Sequence, residues 1–402
     1  MKIRIKVKPE DFIVNEQIAL PIRQKGNYRI YLLEKRNWNT VDLLIRLARQ
    51  ASIPLNQIGY GGKKDRYGLT RQYITTLRHI DLSLTDTHYS VQALGFCDQP
   101  MQPTMITGNQ FSIAVRQLSS SDIQTAQKSI PEILEIGFAN YFDDQRFGSF
   151  ERHQGFLAEK LLKQQFNGAL KIYLTGIHPE DSKSEKDRKR FFFDHWRDWT
   201  ACLDAAATQS EKRAFTFLLG HPHDFLACLK QIPHETMSLY LSAYQSHLWN
   251  QLLRNLIMTI SPSPWRTYPG TVTEYLYYTR IDPQRLSWLS SLQIPTYGQK
   301  VHYSDSSIKR IAYRVIEQEG LKPGSFNQLR IRQSYLKSFE RPAVIRPESI
   351  RHQILEDDYY PGTHKLCLDF FLPRGAYATM LLKRLFSRPC SELPLANPHS
   401  GI

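Results

Sequence analysis

Asp65 is the carboxylate whose neighbours best equip it for chemistry. It lies between Lys64 and Arg66, with Lys63 one residue further away, and it follows the glycine pair Gly61-Gly62. Nearby positive charge favours the ionised carboxylate, which can then act as a nucleophile or a general base. The alternative is an ordinary surface ion pair in a turn, because such triplets are common on protein surfaces.

The segment Gly61–Lys64 also invites comparison with a phosphate-binding loop. That loop requires a further glycine at the position of Gln57 and a serine or threonine for magnesium at the position of Lys64. These two mismatches exclude the interpretation. We therefore predict no nucleotide triphosphate site at this turn.

A second candidate lies at residues 140–148, where aromatic, amide and guanidinium groups are interleaved. Aromatic rings can stack on an unpaired base, an asparagine such as Asn140 can read its edge, and an arginine such as Arg146 can bind phosphate. The segment is typical of a site that holds a single-stranded or flipped nucleotide. Phe142 and Phe147 are equally compatible with a place in the hydrophobic core.

A third candidate spans residues 372–379, where Pro373-Arg374-Gly375 separates a predicted strand from a predicted helix. A junction of this kind can aim backbone amides and an aromatic side chain, here Tyr377, at an anion. The alternative is a plain connection between a strand and a helix.

Hydrophobic periodicity predicts the elements that must position these segments. Thr40 is predicted to cap a helix in which apolar residues recur at helical spacing up to Ala48. Apolar alternation predicts strands near the start of the chain and at 28–33, 71–77, 91–96, 110–116 and 365–372. A helix is predicted at 376–386, and helical spacing also dominates from 213 to 260. Because the closing strand needs a sheet to join, we predict an α+β domain interrupted by a mainly helical insertion.

Composition and charge narrow the function classes. The chain has 402 residues, which favours two domains, and its 52 Lys and Arg against 38 Asp and Glu give a net charge of +14. Such a charge attracts polyanions, so nucleic acid is the leading partner class. The 41% hydrophobic residues are typical of a globular protein rather than a disordered one.

The cysteines and the start of the chain bear on its compartment. The five cysteines are far apart and match neither a zinc spacing nor a disulfide framework, so free thiols in a reducing compartment are expected. No apolar run approaches the roughly 18–20 residues that a membrane-spanning helix needs, and the first residues lack the apolar core of a signal peptide. We therefore expect a cytoplasmic protein that does not contact membranes.

The three segments, taken together and in this order, resemble motifs of the TruD family of tRNA pseudouridine synthases. The matching segments are Gly62-Lys63-Lys64-Asp65 with the residues up to Gln72, Asn140 to Gly148, and Leu372 to Thr379. Supporting matches are Lys6 with Pro9 to Phe12, Lys35 to Ala48, Gly108 to Phe111, and Leu241 to Ser246. The resemblance covers both ends and the middle of the chain, whereas 261–330 and the last residues offer no match.

The resemblance implies a V-shaped α+β protein. Its catalytic domain, a pseudouridine synthase fold with a mixed or antiparallel sheet, is interrupted by an inserted, mainly helical α/β TRUD domain. We assign the first catalytic part to 1–154, the insertion to 155–345, the closing strand and helix to 346–386, and a flexible, proline-containing tail to 387–402. A monomer is expected from the same resemblance.

The resemblance also implies an activity and a set of site residues. The family isomerises uridine in RNA to pseudouridine, in bacteria typically at position 13 of tRNA, without a cofactor or a metal. Asp65 matches the nucleophile, while Phe12, Asn140 and Tyr377 match positions that contact the target nucleotide. Lys6 and Phe142 are expected to line the same pocket, and Lys64, Arg66 and Arg146 to contact RNA.

Two departures and two other functions stay open at this point. Asp143 stands where the family often has glycine, and Tyr377 where phenylalanine is frequent. Asp tolerates left-handed turn geometry better than most residues, and the second change keeps an aromatic ring. A noncatalytic tRNA-binding or folding factor on the same scaffold would not need Asp65. An RNA-processing hydrolase or a glycosylase would release strand ends or free base.

Overall fold

A computed structural model describes residues 3–262, 264–329, 331 and 335–390. The chain divides into two units: the first contains Met1–Phe138 and Ile345–Ser387, and the second contains Ala139–Val344 and the described residues from Arg388 on. The predicted domain boundary after residue 154 therefore differs from the end of the first unit at Phe138. Of the predicted tail, Arg388–Cys390 forms a strand, and residues 391–402 lie outside the described residues.

The first unit begins with most of its strands. A short 3₁₀ helix at Pro9–Asp11 precedes the first of them. The strands are β1 (Phe12–Ile18), β2 (Tyr28–Arg36), β3 (Gly59–Tyr60), β4 (Leu69–Leu77), β5 (Leu84–Thr85), β6 (Tyr89–Cys97) and β7 (Ile106–Leu118). The helices are α1 (Thr40–Gln50) and α2 (Ser120–Ile136), and β8 (Phe138–Ala139) follows.

The second unit is mainly helical. Its helices are α3 (Leu157–Leu162), α4 (Phe166–Thr175), α5 (Lys183–Asp194), α6 (Trp199–Ala205), α7 (Gln209–Gly220), α8 (Phe225–Leu229), α9 (His234–Ile260), α10 (Pro283–Ser291) and α11 (Ser306–Gln318). Its short strands are β9 (Trp265–Tyr268), β10 (Tyr275–Tyr277), β11 (Gln293–Pro295) and β12 (Glu340–Pro342). β13 (Val344–Ile345) leads back to the first unit, which then adds β14 (Ile350–Glu356), β15 (His364–Pro373) and α12 (Ala378–Leu385) before β16 (Arg388–Cys390).

Within the described residues, the first unit carries a mixed nine-stranded sheet. Its order is β14-β15-β7-β1-β4-β2-β6-β5, with β3 paired to β4. Neighbouring strands are antiparallel except for β1 and β4, which run parallel with Ile13 opposite Leu69. This parallel pair places the start of β1 beside the loop that enters β4. The predicted closing strand is confirmed, since Leu366, Leu368 and Phe370 on β15 are buried.

Helix α1 shows how the sequence builds this unit. Its leucines at 43, 44 and 47 are buried against Tyr31, Leu33 and Ile74 of the sheet, and each fully buried leucine contributes about 1.5–3 kcal/mol. The predicted cap at Thr40 is wrong by one residue: the Asn39 side chain accepts the first amide hydrogen bonds, from Val41 at 2.9 Å and from Asp42 at 3.4 Å. The Thr40 hydroxyl is thereby left for another role.

Candidate active site

Asp65 lies on the loop between β3 and β4, and Lys6 contacts it directly. The Lys6 ammonium donates to Asp65 Oδ1 at 2.5 Å, and the two side chains are 14% and 29% exposed. No described side chain donates a hydrogen bond to Oδ2, so only one of the two carboxylate oxygens is held by a described side chain. Lys6 adopts a left-handed backbone conformation with φ of 63°, which is uncommon for a lysine.

Side chains of the sheet and of α1 form hydrogen bonds with the backbone of this loop. Lys35 on β2 is fully buried and donates from Nζ to the Asp65 backbone carbonyl at 2.6 Å. The Thr40 hydroxyl accepts from the Lys64 amide at 3.1 Å and donates to Gln72, whose amide donates to the Gly62 carbonyl. Burial is the main reason that the pKa of Lys35 is lowered to about 8. The negative charge of Asp65 raises this pKa, and the positive charges of Lys64 and Lys6 lower it.

The ammonium of Lys64 is engaged inside the protein. It lies 2.6 Å from Glu16 on β1 and 2.9 Å from Asn109 Oδ1 on β7, and its side chain is only 9% exposed. The Glu16 carboxylate is itself buried and accepts from the Tyr73 amide. These contacts tie the loop to β1 and β7, and the RNA contact of Lys64 stays a prediction.

The segment that carries Lys6 is fixed by a buried ion cluster around Arg116. Its guanidinium lies 2.8 Å from Asp11 and 2.8 Å from Asp357, and the three side chains are at most 2% exposed. Asp11 in turn accepts the Lys8 amide at 3.0 Å. Burial raises the pKa of the Asp357 carboxyl, but hydrogen bonds from the Gln117 and Tyr359 amides and from Arg116 outweigh burial and hold that pKa below its ordinary value. The turn between Lys6 and β1 is therefore anchored to β7 through Asp11 and Arg116.

Phe12 and Gly68 bring the start of β1 into contact with the end of the loop that carries Asp65. The Phe12 ring is buried, lies 4.1 Å below the Lys6 ammonium and contacts Phe111 edge-on. A Cβ on Gly68 would lie 2.5 Å from the Phe12 carbonyl oxygen, so no other residue fits without a backbone shift. The close approach keeps the end of the Asp65 loop against the first residue of β1.

Tyr377 belongs to the same unit as Asp65 and lies where β15 ends and α12 begins. Its backbone carbonyl accepts from the Met380 amide, and its side chain is half-buried. At the end of β15, Leu372 lies opposite Asn109, whose side chain accepts from Lys64. The junction thus adjoins the strand that anchors the Asp65 loop.

Asn140 and Phe142 lie in the second unit, in a cluster around Arg341. The Arg341 guanidinium donates to the Asn140 carbonyl and to Asn140 Oδ1, at 2.7 and 2.8 Å, and lies 4.2 Å above the Phe142 ring. Asn140 Nδ2 donates to the Pro342 carbonyl. Phe142 is 3% exposed and meets Trp249 edge-on, as the alternative of a core residue requires.

The remaining predicted contacts of this segment are also anchored. Arg146 lies 6.0 Å from the Phe142 ring and donates to the Ser246 hydroxyl at 3.4 Å, and the Phe147 ring is buried. The structure therefore groups Lys6, Phe12 and Asp65 in one cluster and Asn140 and Phe142 in another.

Sequence reasoning missed the side chains that position the loop. Lys35 carried a signal, because it shares the inward face of β2 with Leu33 two residues earlier, where an apolar residue is expected. Gln72 carried the same signal on β4, between the buried Thr70 and Ile74. Arg341 carried none, since its partner Asn140 is 201 residues away.

Two features are absent from the described residues. No group of three or more His, Cys, Asp and Glu side chains is arranged there to hold a metal ion. Among the same residues, none of the helices combines the length and the apolar character that crossing a bilayer requires.

Together, the mixed sheet and the anchored, ion-paired aspartate define an α+β protein with a carboxylate at its candidate active site. Comparison with known proteins identifies the family. The model of the family described as tRNA pseudouridine synthase D (TruD) matches residues 1–266 and 284–385. The chain therefore belongs to the TruD family, and its homologues support an isomerase.

The similarity to known proteins covers nearly the whole chain. It is 31% identical to "Probable tRNA pseudouridine synthase D 1" of Methanococcus maripaludis, over 96% of this chain and 100% of the relative. It is 29% identical to the tRNA pseudouridine synthase D of Leptospira interrogans, over 96% of each chain. A crystal structure named for a tRNA pseudouridine synthase D from Methanosarcina mazei matches with a TM-score of 0.74 and 23% identity, covering 95% of this chain and 93% of that one. This last match confirms the predicted α+β fold with a mixed sheet.

Proposed function

We propose that this protein converts uridine 13 of tRNA to pseudouridine and that Asp65 is its nucleophile. The observation that carries the proposal is the state of Asp65: Oδ1 is held by Lys6, the backbone carbonyl by Lys35, and Oδ2 is left for the substrate. Family membership and the net charge of +14 support tRNA as the substrate.

The reaction requires a carboxylate beside the sugar of the target nucleotide. Attack of Asp65 Oδ2 on C1′ forms a C1′–O bond and breaks the N1–C1′ bond, and uracil departs with the electron pair. The uracil then rotates, C5 bonds to C1′ and releases the carboxylate, and the C5 proton is lost. Removal of the 2′ proton as the first step is the alternative, and it also uses an ionised Asp65. Neither route needs a cofactor.

The same proposal assigns the substrate contacts. The target uridine is extruded from the folded RNA to reach Asp65, and Phe12 and Tyr377 form walls for its base. Asn140 is fully buried and bonded to Pro342 and Arg341, and its contact with the target nucleotide is proposed from the family resemblance. Phe142 packs against the Arg341 guanidinium, which in turn holds Asn140.

A pair of matched aspartate variants tests the proposal. Unmodified tRNA transcripts are incubated with wild-type protein, Asp65→Asn and Asp98→Asn, and pseudouridine is mapped by position. Asp98 is a half-exposed carboxylate that pairs with Arg23, so its variant controls for the loss of one negative charge. We expect modification at position 13 by wild type and Asp98→Asn, and none by Asp65→Asn, which still binds the transcript.

Other outcomes point to the other functions. Binding without modification by any of the three proteins would favour a noncatalytic tRNA-binding factor. Free uracil or new strand ends would favour a glycosylase or a hydrolase, whereas an isomerase leaves the RNA mass unchanged. Full activity of Asp65→Asn would refute the nucleophile assignment.

A further inference from the structure

An open groove of about 570 Å³ lies beside Asp65 in the first unit. Its lining includes Lys6, the residue bonded to Asp65, together with Lys8, Asn37, Arg66 and Tyr67. The volume falls within the range of about 300–1,000 Å³ that ligand clefts occupy. The groove therefore adjoins the candidate nucleophile through Lys6, which bonds to Asp65, and through Arg66, which follows it in the chain.

The chemistry of the groove favours an anion with an aromatic part. Its lining holds three cationic side chains, and none of the described lining residues is a carboxylate. Lys6 is neutralised by Asp65, whereas neither Lys8 nor Arg66 forms an ion pair with a described carboxylate. The Tyr67 ring is 50% exposed and lies 5.3 Å from the Arg66 guanidinium. Two uncompensated cations and one accessible ring match the phosphate and the base of a nucleotide.

The walls of the groove are formed before any ligand binds. Lys6 and Asn37 both adopt left-handed backbone conformations, with φ of 63° and 55°, a strained geometry that concentrates at functional sites. The Lys8 amide is fixed by Asp11, and the residues after Tyr67 are fixed where Gly68 contacts Phe12. A preformed groove loses little entropy on binding.

We propose that this groove is a second nucleotide subsite, which holds the RNA nucleotide adjacent to the target uridine. Lys8 and Arg66 bind its phosphate, and Tyr67 stacks on its base. The subsite rests on the proposed function and adds a contact that contributes to specificity. Besides the target uridine, the enzyme binds the nucleotide next to it in the RNA. The binding free energy of this neighbouring nucleotide offsets the free-energy cost of extruding the target nucleotide.

A coupling experiment between protein and RNA tests the subsite. Tyr67→Ala, Tyr67→Phe and the double variant Lys8→Gln/Arg66→Gln are compared on transcripts that lack the base at position 12 or at position 14. Base stacking on an aromatic residue is worth about 1–3 kcal/mol, so Tyr67→Ala should raise the KM for tRNA about 5- to 150-fold with little change in kcat. Tyr67→Phe should behave as wild type. Removing one of the two neighbouring bases should raise the wild-type KM equally and have no further effect in Tyr67→Ala.

The phosphate side has its own readout. The double variant should bind tRNA more weakly and with a shallower dependence on salt, by roughly 0.7–0.9 in the log–log slope for each phosphate that is no longer neutralised. Tyr313→Ala is the matched control for Tyr67→Ala, because Tyr313 is 40% exposed, lies beside Lys309 and belongs to helix α11 of the second unit. It should show no coupling to either missing base.

The outcomes separate this subsite from the proposed function. If wild type modifies tRNA and neither missing base couples to Tyr67, the subsite is wrong while the function stands. If wild type forms no pseudouridine, the same variants are compared by tRNA binding alone. Weaker binding of both Tyr67→Ala and the double variant, with unchanged binding of Tyr313→Ala, would then support a nucleotide in the groove, and unchanged binding of Tyr67→Ala would overturn the subsite.

Discussion

Lys35 offers the sharpest test of how the fold serves the site. Its side chain is fully buried and its ammonium donates to the Asp65 carbonyl at 2.6 Å. Burial lowers its pKa from 10.5 to about 8. The difference of about 2.5 between these values corresponds to about 3 kcal/mol that the native state loses by keeping Lys35 charged at neutral pH.

Lys35→Met should therefore separate stability from activity. The variant removes the charge penalty of about 3 kcal/mol but leaves the Asp65 carbonyl without its donor, which costs about 1–3 kcal/mol. We expect a free energy of unfolding at pH 7 within about 2 kcal/mol of wild type. Because small displacements of a reacting group are costly, kcat for pseudouridine formation should fall about 10- to 100-fold.

The pH dependence of stability carries a signature of the same group. Below pH 8, Lys35 is protonated in the native and the unfolded state, and the full penalty applies. Between pH 8 and 10.5 the native state has released the proton that the unfolded state still binds, so stability rises with pH by up to about 1.4 kcal/mol per unit. Urea unfolding at pH 7.5, 8.5 and 9.5 should show wild type gaining on Lys35→Met. Lys25→Met, at an exposed lysine, should show no such trend.

Two results would refute this reasoning. An unchanged kcat in a folded Lys35→Met would show that the Asp65 backbone does not depend on this hydrogen bond. If the difference in stability between wild type and Lys35→Met is the same at all three pH values, the Lys35 ammonium is not desolvated in the native state. If the methionine variant does not fold, Lys35→Gln, which removes the charge but keeps a donor, serves for the stability series at the three pH values.

Two further predictions concern the support of the site. Gly68→Ala should cost about 1–3 kcal/mol and lower kcat, because its Cβ meets the Phe12 carbonyl oxygen at 2.5 Å, whereas Gly220→Ala, with nothing within 4 Å, should not destabilise the protein; urea unfolding and turnover check both. Arg116→Met should cost about 3–5 kcal/mol in urea unfolding, since two buried aspartates lose their cation. Arg351→Met, at an exposed position of β14, should stay within about 0.5 kcal/mol of wild type.

Local patterns in the sequence predict the elements better than the contacts between them. The closing strand at 365–372 could be predicted because every second residue is apolar and faces the core. The residues of helix α1 could be predicted, but its cap was assigned to Thr40 because Asn39 and Thr40 are both good capping residues. The parallel pairing of β1 with β4 places Phe12 beside the Asp65 loop. No local pattern in the sequence indicates this pairing.

Asp65 could be predicted as a member of the candidate site, and so could Lys6 and Phe12 through the family resemblance, but the contacts that join them could not. Asp65 could be singled out from its charged neighbours and from family resemblance, since both depend on adjacent residues. The contact between Lys6 and Asp65 joins residues 59 positions apart, and that between Arg341 and Asn140 joins residues 201 apart. Such hydrogen bonds are set by tertiary packing, so a single sequence reveals at most that a polar residue occupies an inward position, as Lys35 does.

The polar side chains that are buried next to the loop at 62–66 are there because the backbone of this loop needs hydrogen-bond partners. Among the described residues, no backbone group of this loop pairs with another backbone group. Lys35, Thr40 and Gln72 supply the missing hydrogen bonds, and Glu16 secures Lys64. The sheet keeps its own ladder of hydrogen bonds without them. Apolar substitution of these side chains should therefore displace Asp65 before it unfolds the protein, which separates the requirements of catalysis from those of the fold.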